Sequence, residues 1–155
     1  MIDPLRLSFE VRSSRDHAFT TWTSQIDRWW PKGHSFSGDP DLSVVLETRL
    51  GGRLYERSSD GREFDWGEIT LWEPTSRFGY LWHIRRDRVD ATDVVITFER
   101  LADELTRIDI LHTGWERLGA EAQDWRDQNI GGWSTMLPFY QREFGPEEPL
   151  TIEGA

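Results

Sequence analysis

Glu47–Pro74 reads ETRLGGRLYERSSDGREFDWGEITLWEP, and this run decides the fold class. Two extended, alternating stretches meet at Ser59-Asp60-Gly61, where Asp and Gly supply the backbone geometry of a tight turn. Gly51-Gly52 precede the first stretch, and a Trp66-Gly67 step opens the second. Alternation with period two sends successive side chains to opposite faces of a sheet. Glycines inside such a run mark bends or close backbone approach. The run therefore predicts a twisted antiparallel sheet curved at its glycines.

The same pattern continues on both sides. Residues 5–12, LRLSFEVR, alternate and read as a strand; further strands are expected at 42–49, 52–58, 64–73, 77–85, 92–101 and 104–113. The short, turn-rich spacings between the later ones indicate hairpins, hence an antiparallel meander rather than a doubly wound sheet. After the first strand, Ser13 with Asp16 three residues on resembles a capping box. Ala18, Phe19, Trp22 and Ile26 follow at helical spacing, so one or two short helices run to Trp29 and Trp30 and stop at Pro31. Residues 31–41, PKGHSFSGDPD, read as a loop that could serve as a lid.

A long helix is expected from about Gly119 to Phe144. At 100° per residue, Ala122, Asn129, Trp133, Met136, Leu137, Tyr140 and Phe144 share one face, with Gly131 and Pro138 opposite. An interior proline costs ~3 kcal/mol and a glycine ~1 kcal/mol relative to alanine. Their placement suits the convex, solvent side of one bent helix, although two shorter helices broken near Gly131 would also account for it. The fold class is α+β: a curved antiparallel sheet of six to seven strands wrapped around a long C-terminal helix. One domain is expected over residues 1–146, with 147–155 as a flexible tail.

Composition narrows the function classes. A net charge of −10 argues against nucleic acid as a partner. No apolar run is long enough to span a membrane, and the N-terminus lacks the features of a signal peptide, so a cytoplasmic protein is expected. There is no cysteine and no zinc-like histidine spacing; no metal or other cofactor is expected. The cluster Arg85, Arg86, Arg88, broken by Asp87, reads as a solvated hairpin tip. Nine Trp, eight Phe and three Tyr are the marked bias, pointing either to a bulky core or to a pocket with aromatic walls.

As a set, FTTWTSQIDRWWP, ETRLGGRLYER, DWGEITLWEP, RFGYLWHI, DILHTGWERLG and GGW resemble the SRPBCC (START/birch-pollen-allergen-like) superfamily. Within it, they are similar to the branch of the C-terminal domain of the activator of heat-shock-protein-90 ATPase. The resemblance runs from about Leu5 to Phe144. It implies a helix-grip fold with a deep cavity between sheet and helix that takes apolar small molecules. Some relatives are aromatase/cyclases and others lipid or hormone carriers. It does not imply co-chaperone activity, because the eukaryotic activator's separate N-terminal domain has no counterpart in these residues.

Strand parity then assigns faces. Inward sets are expected to be Phe78, Tyr80 and Trp82; Val94, Ile96 and Phe98; and Ile108, Ile110 and His112. On 64–73 the inward set is Gly67, Ile69 and Leu71, leaving Trp66, Glu68 and Trp72 outward. The candidate cavity residues are Trp29, Trp30, Ile69, Tyr80, Trp82, Ile110, His112, Asn129, Trp133, Met136, Leu137 and Tyr140. His112 reads either as an acid/base at the cavity or as a buried, satisfied histidine. Asn129 reads as a ligand contact or a backbone partner, Arg126 as a backbone or solvent partner, and Glu47 as an ion-pair member beside Arg49 and Arg53.

Three functions follow. The preferred one is a binding protein for a small apolar molecule, monomer or homodimer. The others are a cyclase/aromatase-type or hydrolytic enzyme using His112, Tyr80 or Glu47, and an interaction module, either co-chaperone-like or a homodimer built on outward Trp66 and Trp72.

Overall fold

The computed structural model describes residues 2–153. Eight strands form one antiparallel sheet: β1 (Leu5–Val11), β2 (Ser43–Leu46), β3 (Arg53–Arg57), β4 (Glu63–Glu73), β5 (Arg77–Trp82), β6 (Thr92–Ala102), β7 (Leu105–Thr113) and β8 (Thr151–Glu153). Their order is β2-β3-β4-β5-β6-β7-β1-β8. The expected meander therefore holds from β2 to β7, and the first strand closes onto β7. Thr151–Glu153, expected as frayed tail, instead pair with Arg6–Ser8 at the sheet edge.

Two short helices, α1 (Arg15–Trp22) and α2 (Ile26–Trp29), follow β1. The cap differs by one residue from the expected box: the Ser14 hydroxyl accepts from the His17 amide at 3.2 Å. The long helix α3 (Ala122–Gln141) is unbroken at Gly131 and carries Pro138 inside it. It begins three residues later than expected. Trp115–Glu121 form a 3-10 turn, and Gly119, at φ 57°, re-aims the chain before the helix starts. Gly131 is exposed while Trp133, Met136, Leu137 and Tyr140 are buried, which matches the predicted faces.

The inward rows line up across the sheet. Phe78, Ile96, Ile110 and Leu7 lie opposite one another on successive strands, as do Tyr80, Val94, His112 and Leu5. Against these rows pack Phe19 and Trp22 from α1 and Tyr140 from α3. The ring centroid of Trp22 lies 4.7 Å from Tyr140 and 5.3 Å from Trp29; that of Phe19 lies 5.2 Å from Phe98. Such separations leave no ring-sized gap, and aromatic pairs at this range add roughly 0.5–1.5 kcal/mol each beyond burial.

Two expectations about β4 are corrected. Trp66 is fully buried against Trp30 and Trp82, and Trp72 packs on Phe19 and Phe78. Register shifts explain both. One lies between Leu54 and Tyr55 on the β3 pairing and one between Ile69 and Leu71 on the β5 pairing. Each inserts a residue that breaks strict alternation, turning Trp66 and Trp72 inward. Gly67 serves the sheet rather than a ligand: a Cβ there would sit 1.9 Å from the Leu81 carbonyl oxygen.

Candidate functional site

The space between sheet and α3 is smaller than the resemblance implied. The deep interior is filled by Trp22, Trp29, Tyr140 and their phenylalanine neighbours. What remains is an inner hollow of about 20 Å³ and, adjoining it, an open cleft of about 100 Å³. Both are lined by His34, Trp82, Asn129 and Gly132. The hollow adds Trp30, Tyr80, Trp133 and Met136. The cleft lies between α3, the 31–35 segment and the loop joining β5 to β6, with Trp82, Trp115 and Trp125 among its walls. Larger depressions beside β8 and beside Phe36–Phe64 are surface grooves rich in charged side chains.

Of the twelve candidate residues, Trp30, Tyr80, Trp82, Asn129, Trp133 and Met136 line this space. Trp29, Ile69, Ile110, His112, Leu137 and Tyr140 lie in the packed core. Their polar atoms are committed there. The Trp29 indole N–H donates to the Thr21 carbonyl at 2.8 Å, and the Tyr140 hydroxyl donates to the Ala18 carbonyl at 2.7 Å. Burial raises the Tyr80 and Tyr140 hydroxyl pKa values well above the ordinary tyrosine range.

His112 is fully satisfied. Trp133 Nε1–H donates to His112 Nδ1 at 3.1 Å, so the ring proton sits on Nε2, which is 2.7 Å from Thr92 Oγ1. The ring lies against Trp115, with centroids 4.2 Å apart, and the Trp115 indole N–H donates to the His112 carbonyl at 3.1 Å. Burial drives its pKa down to about 3, which fixes it as the neutral imidazole. Glu47 is elsewhere, accepting from the Arg53 amide at 2.8 Å and from Arg49 at 3.2 Å. His112, Tyr80 and Glu47 are not assembled into one acid/base group. Arg126 ties α3 to the carbonyls of Asp3 and Pro4 at 2.8 and 3.2 Å.

Of the cleft's polar groups, Asn129 is among the sequence candidates, while His34 and Arg86 are not. His34 faces α3, where a Cβ on Gly132 would lie 3.1 Å from His34 Cε1. Burial, with Arg85 nearby, lowers the His34 pKa and favours the neutral ring. Asn129 donates to the Trp125 carbonyl one turn back at 2.8 Å, leaving its own carbonyl oxygen as an acceptor at the shared wall. Arg86 lies over the Trp125 ring at 4.7 Å and pairs with Glu121 at 2.8 Å. The 83–91 loop is thus a wall of the cleft, not a free hairpin tip.

Glu56 fixes the opposite wall. Its buried carboxylate accepts from the amides of Phe36 and Ser37, the Ser37 hydroxyl at 2.6 Å and the Trp66 indole at 2.9 Å. Burial pushes its pKa up, but these donors outweigh burial and hold it below the usual carboxylate range. The 31–41 segment is therefore pinned to β3. One sequence signal was available: Glu56 follows the apolar Leu54 at the same strand parity, so it points to the same face, where a lone acid needs donors.

Among the described residues, no group of three or more His, Cys, Asp or Glu could hold a metal ion. No described helix is long and apolar enough to cross a membrane.

With this geometry in view, the similarities are informative. An anthrahydroquino-gamma-pyrone synthase, Txn09, is 29% identical over 79% of this chain and 84% of its own, with a TM-score of 0.56. The self-sacrificing resistance protein CalC from Micromonospora echinospora is 26% identical over 90% of this chain and 92% of its own, with a TM-score of 0.67. An Hsp90 activator from Plasmodium falciparum, 15% identical over 71% of each chain with a TM-score of 0.51, shares the fold. A search of curated proteins found no match. The family model described as Activator of Hsp90 ATPase homolog 1-like protein matches residues 12–139, and the chain belongs to that family.

Proposed function

We propose that the protein binds a small apolar or aromatic molecule in the cleft between α3 and the 83–91 loop, in a cytoplasmic setting and as a monomer or homodimer. The observation that carries this reading is the wall of three indoles, Trp82, Trp115 and Trp125, around an opening that adjoins a hollow under the helix. Indole faces offer large contact area to a flat ligand, and Asn129 offers an orienting acceptor. An apolar cavity of ~150 Å³ takes one benzene ring, so the cleft, at about 100 Å³, holds one ring of a ligand and leaves the rest of it in solvent. The likeness to Txn09 and CalC supports a small-molecule role over a purely structural one.

Tryptophan fluorescence titration with 2-naphthalenemethanol tests this. Saturable quenching is expected in the native chain. In Gly132→Leu, whose side chain enters the cleft beside His34, affinity should fall at least about tenfold. The leucine Cβ would lie 3.1 Å from His34 Cε1, so the His34 ring must shift to admit it, and an unchanged circular dichroism spectrum and thermal midpoint are required for the loss to count as blocked binding. Absence of saturable quenching, or quenching untouched by the leucine, would sink the reading.

A further inference from the structure

The arginines around the cleft differ in how they are held. Arg86 pairs with Glu121 and Asp90, Arg88 with Glu68 at 2.6 Å, and Arg117 with Asp93 at 2.7 Å. Arg85 has no carboxylate partner among the described residues; its guanidinium donates to the neutral carbonyl of Ser35 across the cleft. In a chain with 28 acidic and 18 basic side chains, an arginine at a cleft mouth without an acid stands out.

Its backbone is also unusual. The Arg86 amide donates to the His83 carbonyl at 2.8 Å, closing a turn whose third position is Arg85. There φ is 62°, and Arg85 is the one non-glycine residue with positive φ among the described residues. Glycine or asparagine is the usual occupant of such a position. Arginine there is strained by roughly 1 kcal/mol or more, and local strain of this kind gathers at functional sites. A glycine would make the turn equally well, but it would place no cation at the mouth.

We propose that the cleft selects aromatic molecules bearing a carboxylate, and that Arg85 is the residue that reads the charge. The inference rests on the cleft being the binding site. The aromatic body lies among Trp82, Trp115 and Trp125, and the carboxylate replaces the Ser35 carbonyl as the acceptor for the Arg85 guanidinium. A charge-assisted, two-pronged bond is stronger than the neutral one it displaces. Asp90 and Glu121 already neutralise Arg86, so Arg85 is the positive charge left for an incoming anion. The wider protein, at −10, gives such an anion no general attraction, so recognition falls to this contact.

The test compares 2-naphthoate with its neutral counterpart 2-naphthalenemethanol by calorimetric titration at low salt. The native chain should bind the acid about tenfold or more tightly over the alcohol. Arg85→Gln should bring the two within about twofold by weakening the acid alone, and Arg88→Gln should leave the preference intact. Raising the salt should narrow the native preference, because the contact lies at an exposed mouth. Equal binding of both probes by the native chain, or a preference that survives Arg85→Gln, would overturn the inference while leaving the cleft as a binding site. Binding of neither probe would overturn the cleft reading and this inference with it.

Discussion

Two histidines, His112 behind the wall of the cleft and His34 in it, have opposite surroundings. His112 has both ring nitrogens bonded to protein, is stacked on Trp115 and lies in a core where rings touch on every side. His34 packs closely on Gly132 but lines the open cleft, beside an arginine with no carboxylate partner among the described residues. Both are held as neutral rings by burial, yet only one faces space that a ligand could occupy. Perturbed titration by itself therefore does not mark the site. A polar group with unfilled space in front of it does.

Breaking the packed end should cost stability. Trp22→Ala removes the ring at the centre of the aromatic interior and should lower the unfolding free energy by ~3–5 kcal/mol in urea denaturation. His112→Leu keeps the volume roughly but strands the Trp133 indole N–H and leaves the Thr92 hydroxyl with only its 3.4 Å bond to the Trp82 carbonyl, costing ~2–4 kcal/mol.

The native chain should also show an acid signature. The folded His112 pKa of about 3 lies below its ordinary 6.5, so the unfolded chain binds the proton first. Stability is then complete above pH 6.5 and falls by up to ~1.4 kcal/mol per pH unit between 6.5 and 3. That slope should shrink in His112→Leu, with His34 contributing what remains in the upper part of the window.

Glu56→Gln probes the junction between the two ends. It trades an anion with several donors for a neutral amide and should cost ~1–3 kcal/mol. Because the Glu56 pKa is depressed, its contribution is present above about 4.5 and lost below it, beneath the onset of the histidine effect. Loosening of the 31–41 segment, read by amide exchange at Phe36 and Ser37, should accompany the loss.

At the mouth, substitutions should be nearly silent in stability. Arg85→Gly relieves the positive φ but gives up the bond to the Ser35 carbonyl, so the opposed effects should leave the unfolding free energy changed by no more than ~1 kcal/mol. A large destabilisation would mean that Arg85 is a structural strut.

The same division describes what could be read from the chain. The seven strands from 5–12 to 104–113 were legible because alternation and turn residues are local signals. The α3 core face was legible through its 3.6-residue period. β8 was not, since three residues carry no pattern of their own and pair only because β1 offers an edge. The faces of Trp66 and Trp72 were misread because two bulges, invisible in residue order, reset the parity.

For the site, side chains on regular elements were found and those on loops were missed. Trp82, Asn129 and Trp133 follow from strand and helix phase. His34 sits on a loop whose packing against α3 leaves no local signal, and Arg85 and Arg86 are placed by bonds to segments far away in sequence, Arg85 to Ser35 and Arg86 to Glu121. No local pattern encodes those bonds. The deep cavity implied by resemblance was absent because this chain places Trp22, Trp29 and Tyr140 there.

Under the proposed function, ligand enters the cleft and not the packed interior. The most direct measurement follows the nine tryptophan indole N–H resonances by heteronuclear NMR during titration with 2-naphthalenemethanol. Saturable shifts centred on Trp82, Trp115 and Trp125 are expected, with Trp22 and Trp29 unmoved. Shifts centred on Trp22 and Trp29, or none at saturating probe, would contradict that function.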